Sequence, residues 1–381
     1  MDKVRFGVIG TGGMGSGHCR WMHTIDEAVL TAVCDTDPTA VAAMAEQHSV
    51  PSFASSVELL DSGLVDAVVI ATPHYFHPTI AIEAFERGIH VLSEKPIAVT
   101  VSAADAMIAA ARAADLKFGV MFQLRSLGRM QAARRIVQEG LLGEVYRTSM
   151  VVGWYRSQAY YDSGGWRATW TGEGGGVLIN QAPHFLDLFQ WLGGMPARVT
   201  GTTRTRLHEI EVEDEAFATV EYANGAHGYL YASTTEAPSH ELFEICGDRG
   251  KLMLQGDTLR FWRIDESIGE HSRGAATMWG GPKAEEPPVE IPEGGGRHMD
   301  ITGNFCRAIL NGEPLIAPGE EGINAVELIN GIILSSNTGA PVDLPVDRAA
   351  YDALLERLKG ASGGKKNLRE TRETDPHYTG S

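Results

Sequence analysis

The chain has 381 residues, 43% of them hydrophobic, and carries 32 Lys and Arg against 49 Asp and Glu for a net charge of −17. That length suits about two domains with a sizeable core, while the acidic balance repels polyphosphate backbones and anionic lipid surfaces and so argues against nucleic-acid and membrane partners. No apolar run approaches the roughly 20 residues of a membrane span, Met1-Asp2-Lys3-Val4-Arg5-Phe6 leaves no room for a signal peptide, and Cys19, Cys34, Cys246 and Cys306 lack C-x-x-C spacing, so a cytoplasmic protein with reduced thiols and no metal is expected.

Over residues 1–124 short apolar runs alternate with Ala-rich stretches of helical length, the pattern of βαβ units around a parallel sheet. Val4–Ile9, Val29–Cys34, Ala67–Ala71, His90–Leu92 and Phe118–Met121 are near-continuously apolar, as strands covered on both faces must be. Thr79–Arg87 and Ser102–Ala113 carry apolar residues at helical spacing. The first strand runs directly into Gly10-Thr11-Gly12-Gly13-Met14-Gly15, a G-x-G-x-x-G that opens a helical stretch. Gly10 permits a tight turn, Gly12 lets backbone N–H groups approach a pyrophosphate, and Gly15 allows close helix–strand packing. Asp35 closes the second strand about 20 residues on, where a carboxylate can accept hydrogen bonds from an adenosine ribose. A doubly wound α/β domain of the Rossmann kind that binds a nicotinamide dinucleotide is implied. Because Cys34, Thr36 and Asp37 offer no cation for a 2′-phosphate, NAD is expected over NADP.

Residues 125–359 read as an α+β domain with a large, mostly antiparallel sheet, from Glu144–Val152, Arg198–Arg206, Ala216–Tyr222, Gly228–Thr234 and Glu241–Ile245. Ala216, Ala218, Val220 and Tyr222 fall on one face and Phe217 on the other, so burial of the second face in a homo-oligomer, dimer or tetramer, is expected, with a second covering helix layer as the alternative. Glu213-Asp214-Glu215 reads as a solvated turn before a strand. Helices return at His298–Leu310 and Glu320–Ser336, and residues 360–381, polar and Gly-rich, read as a disordered tail. Between Met121 and Trp170 seven arginines stand against three acidic residues, a local reversal of the chain's sign. The same stretch holds Trp154, Tyr155, Tyr160, Tyr161, Trp166 and Trp170, whose flat faces suit the C–H faces of a pyranose or cyclitol. Arg125, Tyr155, Arg156 and Arg167 are expected at the substrate, Arg129, Arg134 and Arg135 on an exposed helix.

Ser93-Glu94-Lys95-Pro96, Ala71-Thr72-Pro73-His74-Tyr75-Phe76-His77, Trp166-Arg167, the run Gly174-Gly175-Gly176 through Asn180, His184 and Asp187, and Asn304-Phe305 together resemble the Gfo/Idh/MocA oxidoreductases, the family of glucose–fructose oxidoreductase and inositol dehydrogenases, along nearly the whole chain. The resemblance implies an NAD-dependent enzyme oxidising a ring hydroxyl of a sugar, sugar derivative or cyclitol. It implies a cis Lys95–Pro96 peptide, and cofactor contacts from Thr72, Pro73, His74, His77, Glu94, Lys95, Gln123, Trp166 and Arg167 beside Gly10, Thr11, Gly12, Gly13, Met14 and Asp35. Alcohol oxidation needs a proton acceptor and a cation near the developing oxyanion, and His184 and Lys95 fit those roles. Many relatives carry Asp where this chain has Asn180. An amide cannot take the proton, so His184 is expected to accept it, Lys95 to polarise the hydroxyl and Asn180 to position it. In an uninterrupted helix Asn180 and His184 would share a face, although Pro183 would start or kink one. Asp187 is placed to orient the imidazole or to stand in a helix's first turn. His74 and His77 lack a third ligand nearby, so no metal is expected. An anionic substituent on the substrate is a further expectation from the arginines. The competing function is a glycoside hydrolase that keeps its NAD and works by transient oxidation, elimination and re-reduction.

Overall fold

The computed structural model describes residues 2–365 and 367–369. The apolar runs of the first third become a parallel sheet of six strands, β1 (Val4–Ile9), β2 (Ala28–Cys34), β3 (Ser52–Phe53), β4 (Ala67–Ile70), β5 (His90–Ser93) and β6 (Phe118–Val120), in the order β3-β2-β1-β4-β5-β6. All four residues of β4 are fully buried, because helices cover both faces. These are α1 (Gly13–Met22), α2 (Pro38–His48), α3 (Ser56–Asp61), α4 (His77–Glu86) and α5 (Val101–Ala114). The chain order reverses beside β1, where β4 lies on the side opposite β2. Such a switch point opens a crevice at the carboxyl ends of the strands.

After α6 (Gly128–Gln138) the second sheet is built from β7 (Val145–Tyr155), β8 (Arg198–Arg204), β9 (Glu215–Glu221), β10 (His227–Ser233), β11 (Thr235–Gly247), β12 (Gly250–Gln255), β13 (Thr258–Ile264), β14 (Ala284–Glu285) and β15 (Val342–Asp343). All ladders are antiparallel except β10 with β7, which pair parallel from His227↔Arg147 to Ser233↔Gly153. The remaining helices are α7 (Gln158–Asp162), α8 (Pro183–Gly193), α9 (Ile268–Gly274), α10 (His298–Asn311), α11 (Gly322–Thr338) and α12 (Arg348–Gly360). Helices α8 and α11 pack on one face of the sheet, and α11 is buried along most of its length between that face and α5. The other face stays open. Along β9 Ala216, Ala218 and Val220 are buried while Phe217 is exposed, and Tyr229 of β10 shares its exposure; among the described residues the second helix layer weighed as an alternative does not cover them.

The last third returns to the first sheet. Phe305 of α10 stands 6.3 Å from Phe6, Val120 N–H donates to Ala317 O at 3.0 Å, and Asn330 of α11 bonds both Val101 N and Val99 O. Two expectations are corrected here. The acidic run Glu213-Asp214-Glu215 is buried, because turn backbone surrounds it with donors: Glu213 accepts from Gly176 N at 2.9 Å and Leu178 N at 3.1 Å, Asp214 from Arg206, Leu207 and His208 N–H, and Glu215 pairs with Arg204. Burial pushes the Glu213 carboxyl up to about 7. The chain beyond Gly360 is also ordered where it is described, since Ser362, Gly363 and Gly364 bond the Glu211 carboxylate, Lys365 bonds Tyr161 O and Gly164 O, and Arg369 N donates to Asp162 O. Residues 366 and 370–381, part of the same expected disorder, lie outside the described residues.

Candidate active site

A cleft of ≈ 1180 Å³ runs along the carboxyl edge of the parallel sheet, larger than the roughly 300–1,000 Å³ of a single small-ligand pocket. At one end the turn after β1 forms its floor. Gly10 has φ +90°, which favours glycine, and a Cβ there would meet the Ala71 carbonyl at 2.7 Å; a Cβ on Gly15 would lie 1.7 Å from Gly10 O. A Cβ on Gly12 would meet nothing within 4 Å, so its bare backbone faces the cleft, and α1 begins there without a side-chain cap. Backbone donors at an uncapped helix start fit a pyrophosphate. Asp35 accepts from Thr11 N at 2.7 Å and Thr11 Oγ at 3.0 Å while its other oxygen accepts from Asp37 N. Thr11 is therefore a buried brace of the turn rather than a lining residue. The lysine and arginines of the lining, Lys95, Arg129, Arg156 and Arg167, all lie outside the β2–α2 segment that carries Asp35.

Gly10, Gly12, Gly13, Met14, Asp35, Thr72, Pro73, His74, His77, Glu94, Lys95, Gln123, Trp166 and Arg167 all line the cleft, with Arg156, Asn180 and His184. Buried His77 joins Thr72 O at 2.8 Å and Pro96 O at 2.9 Å, fixing the loops after β4 and β5 to one another. The Lys95–Pro96 bond is cis. Lys95 Nζ donates to the Asn180 carbonyl at 2.7 Å, and burial lowers its pKa although Glu94 and Glu173 oppose this. Asn180 lies within a π-helical turn, Val177–Gln181, and α8 starts at Pro183; the helix is interrupted between Asn180 and His184, and proline occupies the first-turn position it tolerates. His184 is 8% exposed, and among the described residues its Nδ1 has no hydrogen-bond partner. Burial, then the nearby Lys95 charge, drive its pKa well below the ordinary histidine range, so it is a neutral imidazole able to accept a proton.

Arg125 and Tyr155 are not brought to the cleft. Arg125 is fully buried and paired through two nitrogens with Asp187 at 2.6 and 2.7 Å, with Glu321 as a further partner. Asp187 therefore orients Arg125 rather than His184, and it stands beyond the first turn of α8. Tyr155 is 54% exposed, on the opposite side of β7 from Trp154, which lines the cleft; successive residues of a strand face opposite ways. Arg129, expected on a solvent face, lines the cleft instead, while Arg134 and Arg135 bond Trp191 O and Glu290 O.

Three residues to which the sequence reading gave no site role, together with Tyr160 of its aromatic run, complete the site. His18 of α1 pairs with Glu94 at 2.8 Å, and His298, at the start of α10, lies 4.0 Å from the same oxygen. Burial alone would raise the Glu94 carboxyl, but the bond from His18 and the neighbouring His18, His298 and Lys95 hold it well below the usual carboxylate range. Tyr160 receives Arg167 Nη1 at 2.6 Å and Gln181 Nε2 at 3.0 Å. Glu173 lies buried beneath Asn180 and Arg167. The three-residue spacing of His18 from Gly15 was a usable signal, since it puts both on one side of α1; the others meet only through tertiary packing. Among the described residues no three metal-ligating side chains gather, and no described helix is long and apolar enough to cross a membrane.

A glycine turn bare toward the cleft, a carboxylate after the second strand and a lysine and histidine lining the same cleft fit a dinucleotide-dependent oxidoreductase. The chain belongs to the GFO/IDH/MocA family: residues 4–122 match the model described as oxidoreductase family, NAD-binding Rossmann fold, and residues 130–253 match the GFO/IDH/MocA C-terminal domain. It is 28% identical over 369 residues to D-glucoside 3-dehydrogenase of Escherichia coli, covering 90% of this chain and 98% of that protein. Over 261 residues it is 29% identical to the 2,7-anhydro-N-acetylneuraminate hydratase of the same organism, covering 66% of this chain and 67% of that protein. Among solved structures it is similar to the WlbA dehydrogenase from Chromobacterium violaceum in complex with NADH and UDP-GlcNAcA, with a TM-score of 0.78, 31% identity and coverage of 91% of this chain and 97% of that one. NAD is the cofactor. Asp35→Ser should weaken NAD binding about 10–100-fold in calorimetry, through loss of charge-assisted hydrogen bonds and of the Thr11 brace, and should not make NADP the tighter ligand, because no cation is gained. A variant that prefers NADP would contradict this assignment of Asp35.

Proposed function

We propose that the protein is an NAD-dependent dehydrogenase that oxidises a ring hydroxyl of a sugar, sugar derivative or cyclitol. The observation that carries this reading is the meeting of Lys95, Asn180 and His184 on one cleft wall beside Trp154, Tyr160 and Trp166. Bound NAD supplies a hydride acceptor. His184, neutral and with Nδ1 unpartnered, accepts the hydroxyl proton, Lys95 stabilises the oxygen as charge develops, and Asn180 positions the alcohol. The cofactor contacts of the turn, of His74, His77, Glu94 and Gln123, and of Trp166 and Arg167 belong to the same proposal. Purified protein incubated with NAD and a panel of sugars and cyclitols should form NADH in step with oxidised product; a panel without any turnover would overturn the reading.

The relative named as a hydratase favours a second reading, redox-neutral turnover of a glycoside by transient oxidation, elimination and re-reduction. Aglycone release without net NADH, with solvent deuterium entering the ring, would mark it.

Arginine chemistry refines the substrate. Arg156 and Arg167 each stack over Tyr160, and Arg167 also over Trp166, which orients their planar forks for a carboxylate or sulfonate. Arg156→Ala is expected to raise KM for an anionic sugar about tenfold more than for its neutral analogue, and equal losses on both would remove the anionic preference from the proposal. The exposed Phe217 and Tyr229 support a homo-oligomeric contact through the open sheet face, which a monomeric sedimentation profile would contradict. Four free cysteines suit a cytoplasmic location, which recovery of the native protein outside the cell would contradict. Domain limits at 124 and 359 remain part of the same reading, tested by limited proteolysis.

A further inference from the structure

Glu173 does not line the cleft, yet it bonds to two elements that do. One carboxylate oxygen accepts from Asn180 Nδ2, and the other accepts from Ala168 N at 2.5 Å. Ala168 sits at φ +54°, a left-handed conformation unfavourable for a residue with a Cβ, so the turn carrying Trp166 and Arg167 is pinned by this contact. The Arg167 guanidinium approaches the same carboxylate at 3.9 Å. Asn180 Nδ2 also reaches Tyr160 Oη at 3.4 Å, and among the described residues Asn180 Oδ1 has no partner. With its nitrogen held inward, the amide presents an acceptor to a substrate hydroxyl.

We propose that Glu173 is a positioning residue for the reaction: it fixes the orientation of the Asn180 amide, locks the Arg167 turn to it, and places a negative charge behind Lys95. The inference rests on the dehydrogenase reading above. The groups facing Lys95 are Glu94 beside it, His74 and His77 from the loop and helix after β4, Arg156 after β7, Arg167 and Glu173 from the segment before the π-helical turn, His184 from α8 and His298 from α10. Among these groups the carboxylates of Glu94 and Glu173 favour the charged ammonium and the cations disfavour it.

Glu173→Gln keeps the shape but removes the charge, and its single carbonyl oxygen cannot serve both Ala168 N and Asn180 Nδ2. Glu173→Asp keeps the charge but is one methylene too short to span both. Both variants are measured with NAD and a sugar that the wild type turns over. Each should lower kcat about 10–100-fold, as small misplacements of a positioning group do, with a smaller loss of NAD affinity, because of the proposed cofactor contacts only the Trp166–Arg167 turn is loosened. The basic limb of the kcat profile should move to lower pH in Glu173→Gln, where Lys95 loses a favourable charge, and stay in place in Glu173→Asp. A wild-type kcat in either variant, or an unmoved limb in Glu173→Gln, overturns the proposal; should Glu173→Gln not fold, the kcat and limb of Glu173→Asp still decide. Absence of turnover by the wild type on any sugar would instead overturn the dehydrogenase reading.

Discussion

Lys95→Ala and His184→Ala should each bind NAD within about threefold of wild type and lose about 10²–10⁴-fold in turnover. In the proposed function the glycine turn and Asp35, at the carboxyl ends of β1 and β2, carry the pyrophosphate and adenosine contacts, so affinity and chemistry separate. The pH profile gives each residue its own signature. His184 must be unprotonated to accept a proton, and burial together with Lys95 disfavours its imidazolium form. The acid limb of wild-type turnover therefore lies below the ordinary histidine range, and it should vanish in His184→Ala. Lys95 must stay charged to stabilise the oxyanion, and because burial lowers its pKa the basic limb lies below the ordinary lysine range and should vanish in Lys95→Ala. Near-normal turnover and an unchanged profile in His184→Ala would transfer the proton to another acceptor, with Tyr160 the nearest phenol in the network.

Arg125→Ala is expected to cost about 3–5 kcal/mol of stability, the range for removing one partner of a buried ion pair. The guanidinium is 0% exposed, and Asp187 and Glu321 hold it charged against the cost of burial. Its loss leaves the Asp187 carboxylate buried, with only Gln190 Nε2 at 3.0 Å as a remaining side-chain donor. Thermal unfolding should shift down by several degrees while the ratio of KM values for charged and neutral sugars stays unchanged. An unshifted unfolding transition, or a selective loss of anionic substrates, would return Arg125 to the substrate.

The two misplaced residues show where local sequence stops informing. A charge count over Met121–Trp170 registers that arginines are concentrated there, but not that the carboxylate of Asp187, 62 positions on, claims one of them. Strand parity was available for Tyr155, because Trp154 and Tyr155 cannot face the same way, yet choosing the cleft side requires knowing which face α8 covers. By contrast the five strands read in the first domain were legible to within a residue at each end: β1 spans Val4–Ile9, because a strand buried on both faces leaves a near-continuous apolar run, which here ends at its glycine turn. Asp35 and Lys95 were legible for the same reason, each standing at a strand's carboxyl end. Asn180 and His184 came from a motif and not from periodicity, since the π-helical turn breaks the helical spacing. The short edge strands β3, β14 and β15 hold two residues each, too few for alternation to show. His18 and His298 converge on Glu94 from distant segments, so only the folded chain makes them neighbours, whereas Glu173 stands seven positions before Asn180 and no periodicity joins the two across the glycine run.

The return of α10 and α11 to the first sheet has a consequence for synthesis. Phe305 is made about three hundred residues after Phe6, yet the two rings share one core. Val120 likewise waits for Ala317, and the start of α5 for Asn330. The nascent nucleotide-binding half therefore carries an uncovered apolar seam until α10 and α11 have been made, and a chain interrupted before α10 presents that seam to chaperones and proteases.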